Sequence, residues 1–236
     1  MLGVTTEAVV HRIRKEYERL DYAFFENGDF DLNLFGIRSA DYGDLFNDIL
    51  GCVCKVNGEW RVWLWPGTTD PGQFYLQNPA NSNGTAIVAA GQNRAMWIID
   101  KHGGKYEALC HRGTPIKIYR DVNRDELLDF PQDKIRIATR TLNWHRSGIR
   151  DSEEIDKWSA GCQVHQLRLG FEESMTLARL QQVFHPGWTS YTYTLFTLMD
   201  EPTAERSPQL ECLFNYLPAW QRDKSKTGKL VEGKPT

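Results

Sequence analysis

The sequence has no excess of positive charge: 28 Lys and Arg stand against 31 Asp and Glu, a net of −3. Nucleic-acid binders draw their affinity from a basic surface, so that class of partner is not expected. No stretch approaches the ~18 consecutive apolar residues a membrane helix needs. The N-terminus, Met1 to Glu7, also lacks a basic segment followed by an apolar run. Neither a signal peptide nor a membrane span is expected, which implies synthesis in a cytosol without export by a standard route. Zinc-type spacings are absent too. No Cys-x-x-Cys pair occurs, and nothing completes a zinc site with Cys52 and Cys54. No His-Glu-x-x-His or His-x-His spacing links His102, His111, His165 and His185, which argues against a metallopeptidase.

Helical periodicity is scarce between residues 30 and 165, and that scarcity sets the fold class. Residues 31–38, 49–56, 59–65, 85–89, 95–99, 105–110, 115–119, 135–145, 163–169 and 190–199 read as strands. Such a run excludes a doubly wound fold and predicts a mainly β barrel or sandwich. Asn57-Gly58 between two of these runs is a strong hairpin signal. In the second run Trp60, Val62 and Leu64 face one way, and Arg61, Trp63 and Trp65 the other. Tryptophan on both faces predicts a hairpin covered on both sides. Residues 66–76, rich in Pro and Gly, read as a rigid turn leading into a further strand.

Two helices frame this β region. Val9, Val10, Ile13, Tyr17 and Leu20 recur at helical spacing over residues 5–22, with Thr5 or Thr6 as cap. Leu177, Leu180 and Phe184 form one stripe over residues 172–184. The expected organisation is an N-terminal helical arm (1–30), a β-rich catalytic domain (31–200) and a C-terminal extension (201–236). The last part, residues 218–236, looks like a flexible basic tail.

The chemistry-bearing stretch is Asn143-Trp144-His145-Arg146 followed by Ser159-Ala160-Gly161-Cys162. A thiol is nucleophilic as thiolate, and an imidazole can take its proton, so Cys162 and His145 are the candidate catalytic pair. Gly161 permits a sharp turn that could aim the Gly161 and Cys162 amides at an oxyanion. Ser159 could orient the imidazole. Arg146 or Arg38 could pair with a substrate carboxylate. The plainer alternatives are a buried structural thiol and surface ion-pair arginines.

A separate acidic segment, Asp121-Val122-Asn123-Arg124-Asp125-Glu126-Leu127-Leu128-Asp129, places oxygen ligands as a calcium loop does, at Asp121, Asn123, Asp125 and Asp129. Glu126 replaces the turn glycine, and Gln132 stands where a bidentate glutamate belongs. The plain alternative is a solvated acidic loop. A structural calcium is the one cofactor this segment would take, and the chemistry requires none.

Together His145, Ser159-Ala160-Gly161-Cys162 and Thr69-Asp70-Pro71-Gly72-Gln73-Phe74 resemble the L,D-transpeptidase (YkuD-type) catalytic domain over roughly residues 50–170. That family carries a histidine, then Ser/Thr-His-Gly-Cys, and a Thr-Pro-x-Gly-x-Phe/Tyr segment. The resemblance implies a β-rich catalytic fold, a cysteine nucleophile, peptidoglycan stem peptides as substrate and Thr69 in the substrate-binding segment. Ala160 stands in place of the motif's second histidine, Gln163-Val164 follow the cysteine, and Arg146 follows His145. These departures fall where a substrate's carboxylates would bind, so a changed acceptor or hydrolysis is expected in place of transpeptidation. Segments around Gly36, Tyr119 and Trp158 also resemble proteins encoded by phages. That implies a virion-associated enzyme with other virion proteins as partners, or a non-catalytic virion module retaining the fold.

Overall fold

The computed structural model describes residues 6–148 and 153–217; Thr5 and the expected flexible tail at 218–236 lie outside the described residues. Ten strands run in chain order: β1 (Asn33–Arg38), β2 (Asp48–Val56), β3 (Glu59–Thr68), β4 (Thr85–Val88), β5 (Gly91–His102), β6 (Tyr106–Asp121), β7 (Arg136–Arg140), β8 (Trp144–Arg146), β9 (Gln163–His165) and β10 (Ser190–Thr197). Three α-helices accompany them: α1 (Thr6–Arg19), α2 (Gln73–Gln77) and α3 (Arg168–Phe184).

Eight of the strands close a barrel in the order β6-β5-β10-β1-β2-β3-β9-β8. The ring shuts where Leu109 of β6 pairs with Trp144 of β8. Neighbours are antiparallel except β1 with β10 and β8 with β9. Closure leaves the barrel without an exposed sheet edge. Asn57 and Gly58 both take positive φ, +53° and +77°, as a two-residue hairpin turn requires.

The two faces of β3 are covered as its tryptophans suggest. Trp65, with Trp63 beside it, joins the barrel interior with Leu34, Trp97, Trp144 and Tyr193. Trp60, Val62 and Leu64 pack outward with Val9, Val10, Ile13 and Tyr17 of α1. Burying each large apolar side chain stabilises the fold by about 1.5–3 kcal/mol, which is what holds α1 on the barrel. The C-terminal segment contributes to that same outer layer: a 3-10 helix (Pro208–Tyr216) brings Leu210 and Leu213 against α1's side of the sheet, followed by Leu217. On the inner side α3 places Phe171, Met175, Leu177 and Ala178 among the barrel residues. Trp144 Nε1 donates to Ser174 Oγ at 3.1 Å.

Four local expectations are corrected. Residues 73–77 form the short helix α2, not a strand, because β3 already runs through Pro66 to Thr68 and the chain must turn back. Residues 105–110 and 115–119 belong to one long strand, β6. Pro115 is tolerated because it lies in a register shift between Arg112 and Ile116, where no ladder donor is needed. The single strand expected over 135–145 is two, broken at Thr141, whose φ is +81°. The strand expected over 163–169 stops at His165, where α3 follows within three residues.

These departures make the setting for the site. The first half of β6 stays in the barrel beside β5, while its second half leaves and pairs with β4 and β7. A small three-stranded sheet therefore stands beside the mouth of β8 and β9.

Candidate active site

Strands β8 and β9 are parallel, with Trp144 opposite Gln163, His145 opposite Val164 and Arg146 opposite His165. Side chains alternate along a strand, so His145 and Cys162 share one face while Trp144 and His165 share the other. Trp144 points inward, so the His145–Cys162 face is the outer one. Cys162 and Val164 there meet Phe46 and Ile155 from neighbouring loops.

A tight elbow delivers the cysteine. Ser159 Oγ donates to Cys162 O at 2.9 Å and accepts from the Gly161 amide at 3.1 Å. The Ser159 carbonyl accepts from Gly72 N at 2.8 Å. Gly161 takes φ +110°, and a Cβ there would stand 2.2 Å from the Ala86 carbonyl oxygen. Ser159 therefore builds the elbow; it does not orient the imidazole. The Gly161 amide, expected at an oxyanion, is already engaged by that hydroxyl.

Cys162 is buried, with 8% of the residue exposed. Its sulfur accepts from Asn143 N and donates to the Thr141 carbonyl, each at 3.4 Å. Burial pushes the Cys162 thiol up to about 11, against the pull of the Asn143 amide. It is neutral at physiological pH. Thr141, a β-branched residue at positive φ, is strained, and that strain sits beside the sulfur.

His145 is also buried. Its Nδ1 lies 2.7 Å from the Arg146 carbonyl, which places the proton on Nδ1 and leaves Nε2 as the acceptor. The ring stacks on His102 with centroids 4.1 Å apart. Burial, then His102 and the Arg146 charge, pull the imidazole down to about 3. Each pKa unit is worth about 1.4 kcal/mol, so in this arrangement the proton stays on sulfur. Among the described residues no hydrogen bond joins the His145 ring to Cys162.

Asn143 links the two. Its amide reaches the sulfur, its carbonyl accepts from Gln163 N at 2.9 Å, and its side-chain Nδ2 donates to His102 Nδ1 at 3.0 Å. Sequence reasoning assigned Asn143 no role; its place directly before the inward-facing Trp144 of a short strand was the available signal.

The expected substrate-binding residues are placed elsewhere. Arg38 is fully buried and bound to Asp70 at 2.7 Å and Glu201 at 2.5 Å, with the Thr69 and Val88 carbonyls completing its shell. It is a structural ion-pair centre with no face for a substrate. Thr69 is equally buried, its hydroxyl donating to Asp48 at 2.8 Å. Arg146 lies over the Tyr106 ring at 4.4 Å and donates to the Gly148 carbonyl.

The calcium loop does not fit a cation. Asn123 Nδ2 donates to Asp125 at 2.9 Å and to Asp129 at 2.6 Å, so amide hydrogens stand where an ion would. Asp121 accepts from the Asp129 amide at 3.2 Å. Among the described residues no three carboxylate, histidine or cysteine groups converge as metal ligands.

A cavity of about 340 Å³ is lined in part by Cys162. Its floor is the small sheet, through Ala86, Ile118 and Ala138, and its wall carries Thr141, Ala160 and Cys162. Alanine at three of these positions leaves the space. Arg120 and Arg140 also line it, and neither was singled out from sequence as a site residue. His145 does not line it.

Compared with protein-family models, curated proteins and solved structures, the chain finds no match.

Proposed function

We propose that the protein is a cysteine-dependent enzyme of the L,D-transpeptidase-like type, with that family's version of the β-rich fold. It would modify peptidoglycan stem peptides by hydrolysis or transpeptidation through a thioester. The observation that carries this reading is Cys162 in the lining of a 340 Å³ cavity, on the same outer face as His145. Supporting it, the His145 tautomer leaves Nε2 free to take a proton.

In the reaction the thiol leaves the Thr141 carbonyl and its proton passes to His145 Nε2. Sulfur then bonds the substrate carbonyl carbon while the C–N bond breaks, and the imidazolium returns the proton to the departing amine. Water or a second amine next attacks the thioester and frees the thiol. The resting pair is neutral, so substrate binding has to supply the rearrangement that brings sulfur and nitrogen together.

A second reading is a non-catalytic virion module that retains the fold. The Cys162–Thr141 hydrogen bond favours it, because the thiol proton already has a partner. Purified peptidoglycan digested with wild type and with Cys162→Ala, followed by mass analysis of the muropeptides, separates the two. New products from wild type alone are expected; identical products from both leave only the virion module.

A further inference from the structure

Among the described residues that line the cavity beside Cys162, two side chains are cations and none is an anion. The charged ones are Arg120 and Arg140. Arg120 is half-buried, fixed by a 2.9 Å bond from Nη1 to the Gly84 carbonyl. Burial lowers its affinity for the proton, and among the described residues no carboxylate offsets that. Arg140 is exposed, and among the described residues its guanidinium has no ion pair. Arg19, Arg38, Arg112 and Arg179 each bind a carboxylate at 2.7–2.8 Å, whereas Arg146, like Arg120, is held by a backbone carbonyl.

Strand register sets the two cations apart. Arg140 is level with Arg112, whereas Arg120 lies on the same strand beyond Ile116 and Ile118, level with β4 at Ala86. They therefore stand toward opposite ends of the small sheet, with the alanine-lined floor between. A concave surface holding like charges without counter-charge concentrates anions and repels cations. Guanidinium groups present paired donors that match carboxylate geometry.

We infer that this cavity is a binding site for an elongated anionic ligand, a carboxylate-bearing peptide or acyl chain held between Arg120 and Arg140 beside the Cys162 sulfur. Calling that ligand the acyl donor rests on the proposed reaction; anion binding itself does not. The site replaces Arg38 and Arg146 as the source of charge recognition.

Two measurements test it. The first compares alkylation of Cys162 by anionic iodoacetate and neutral iodoacetamide, each normalised to Cys212 in the same chain. In both, sulfur bonds the methylene carbon, iodide leaves and the thiol proton goes to solvent. The iodoacetate-to-iodoacetamide ratio should be about tenfold higher at Cys162 than at Cys212. It should fall to the Cys212 value in Arg120→Gln/Arg140→Gln and return in Arg120→Lys/Arg140→Lys. Equal ratios in wild type overturn the inference.

The second uses Cys162→Ala, so it stands even if neither reagent reaches the buried sulfur or the protein has no turnover. Succinate should shift the backbone amide resonances of Gly84, Thr85, Ala86 and Ala160, and the double glutamine variant should abolish the shifts. No shift at saturating succinate overturns the site. A response to inorganic phosphate alone overturns its assignment to carboxylates. Anion binding without muropeptide products would retain this site while removing the proposed reaction.

Discussion

The Cys162 sulfur donates its hydrogen bond to the Thr141 carbonyl at 3.4 Å, and Thr141 is the residue whose positive φ breaks the chain between β7 and β8. A strained backbone and a buried thiol are thus in direct contact. The carbonyl holds the proton that an acyl-transfer reaction must move, so leaving Thr141 is the first event any chemistry at this sulfur requires.

The thiol's burial has a readable consequence. With Cys162 pushed up to about 11, its alkylation by iodoacetamide should climb about tenfold per pH unit from neutrality toward that value. A rate independent of pH between 6 and 8 would mean a thiolate–imidazolium pair already formed in the resting protein. Mass spectrometry of the Cys162 peptide gives the rate.

His165 should weaken the protein. It is fully buried, among the described residues neither ring nitrogen has a hydrogen-bond partner, and Trp65, Trp144 and Phe171 surround it. A buried polar group left unpaired costs about 1–3 kcal/mol, so His165→Phe should raise stability by a similar amount in urea unfolding. Unchanged or lower stability would count against the apolar box as described.

Acid should unfold the protein for a related reason. Burial lowers the pKa of His145 to about 3 and that of His165 well below its ordinary value. The unfolded chain binds protons at these rings near the usual ~6.5, and the folded chain does not. Their contribution is therefore fully present above that pH and lost as pH falls toward the folded values. The urea midpoint should drop between pH 7 and 5, and His165→Phe should flatten the slope.

Arg38 should behave as a structural residue. Removing one partner of a buried ion pair costs about 3–5 kcal/mol. Arg38→Met should therefore be strongly destabilised, because Asp70 and Glu201 remain buried. If Arg38 bound substrate instead, the variant would lose ligand affinity while keeping its unfolding midpoint.

Gly161→Ala meets two penalties, the positive φ and the Ala86 carbonyl at 2.2 Å. A loss of roughly 3 kcal/mol or more is expected from strain and displacement together. Ser159→Ala, which removes the hydroxyl bridging Gly161 N and Cys162 O, should cost about 1 kcal/mol. Denaturation curves of the two variants give both figures, and a Gly161→Ala protein as stable as wild type would refute the elbow's geometry.

Much of the architecture was legible in the chain. The period-two runs, the Asn57-Gly58 turn, the two-sided tryptophans of β3 and the apolar stripe of α1 are all patterns of near neighbours. Along α3 the expected stripe was right only in part: Leu177 is buried, but Phe184 is exposed, and the buried face runs through Phe171, Met175 and Ala178. Alternation and helical spacing follow from backbone geometry, so each residue's face can be read without knowing its partner. The pairing of Cys162 and His145 on one face was within reach for the same reason, each being attached to a short strand.

Tertiary structure alone decided which polar residues are buried and with whom. Arg38 meets Asp70 and Glu201, the Cys162 proton goes to Thr141, and Ala86, Ala138 and Ala160 open a cavity between Arg120 and Arg140. Each of these joins segments far apart in sequence, brought together by strand register and barrel closure. Desolvation then sets the protonation of the thiol and the imidazoles. Neither register nor desolvation leaves a local trace among neighbouring residues, so the same side chains read alike in the sequence whether they bind a ligand or brace the core.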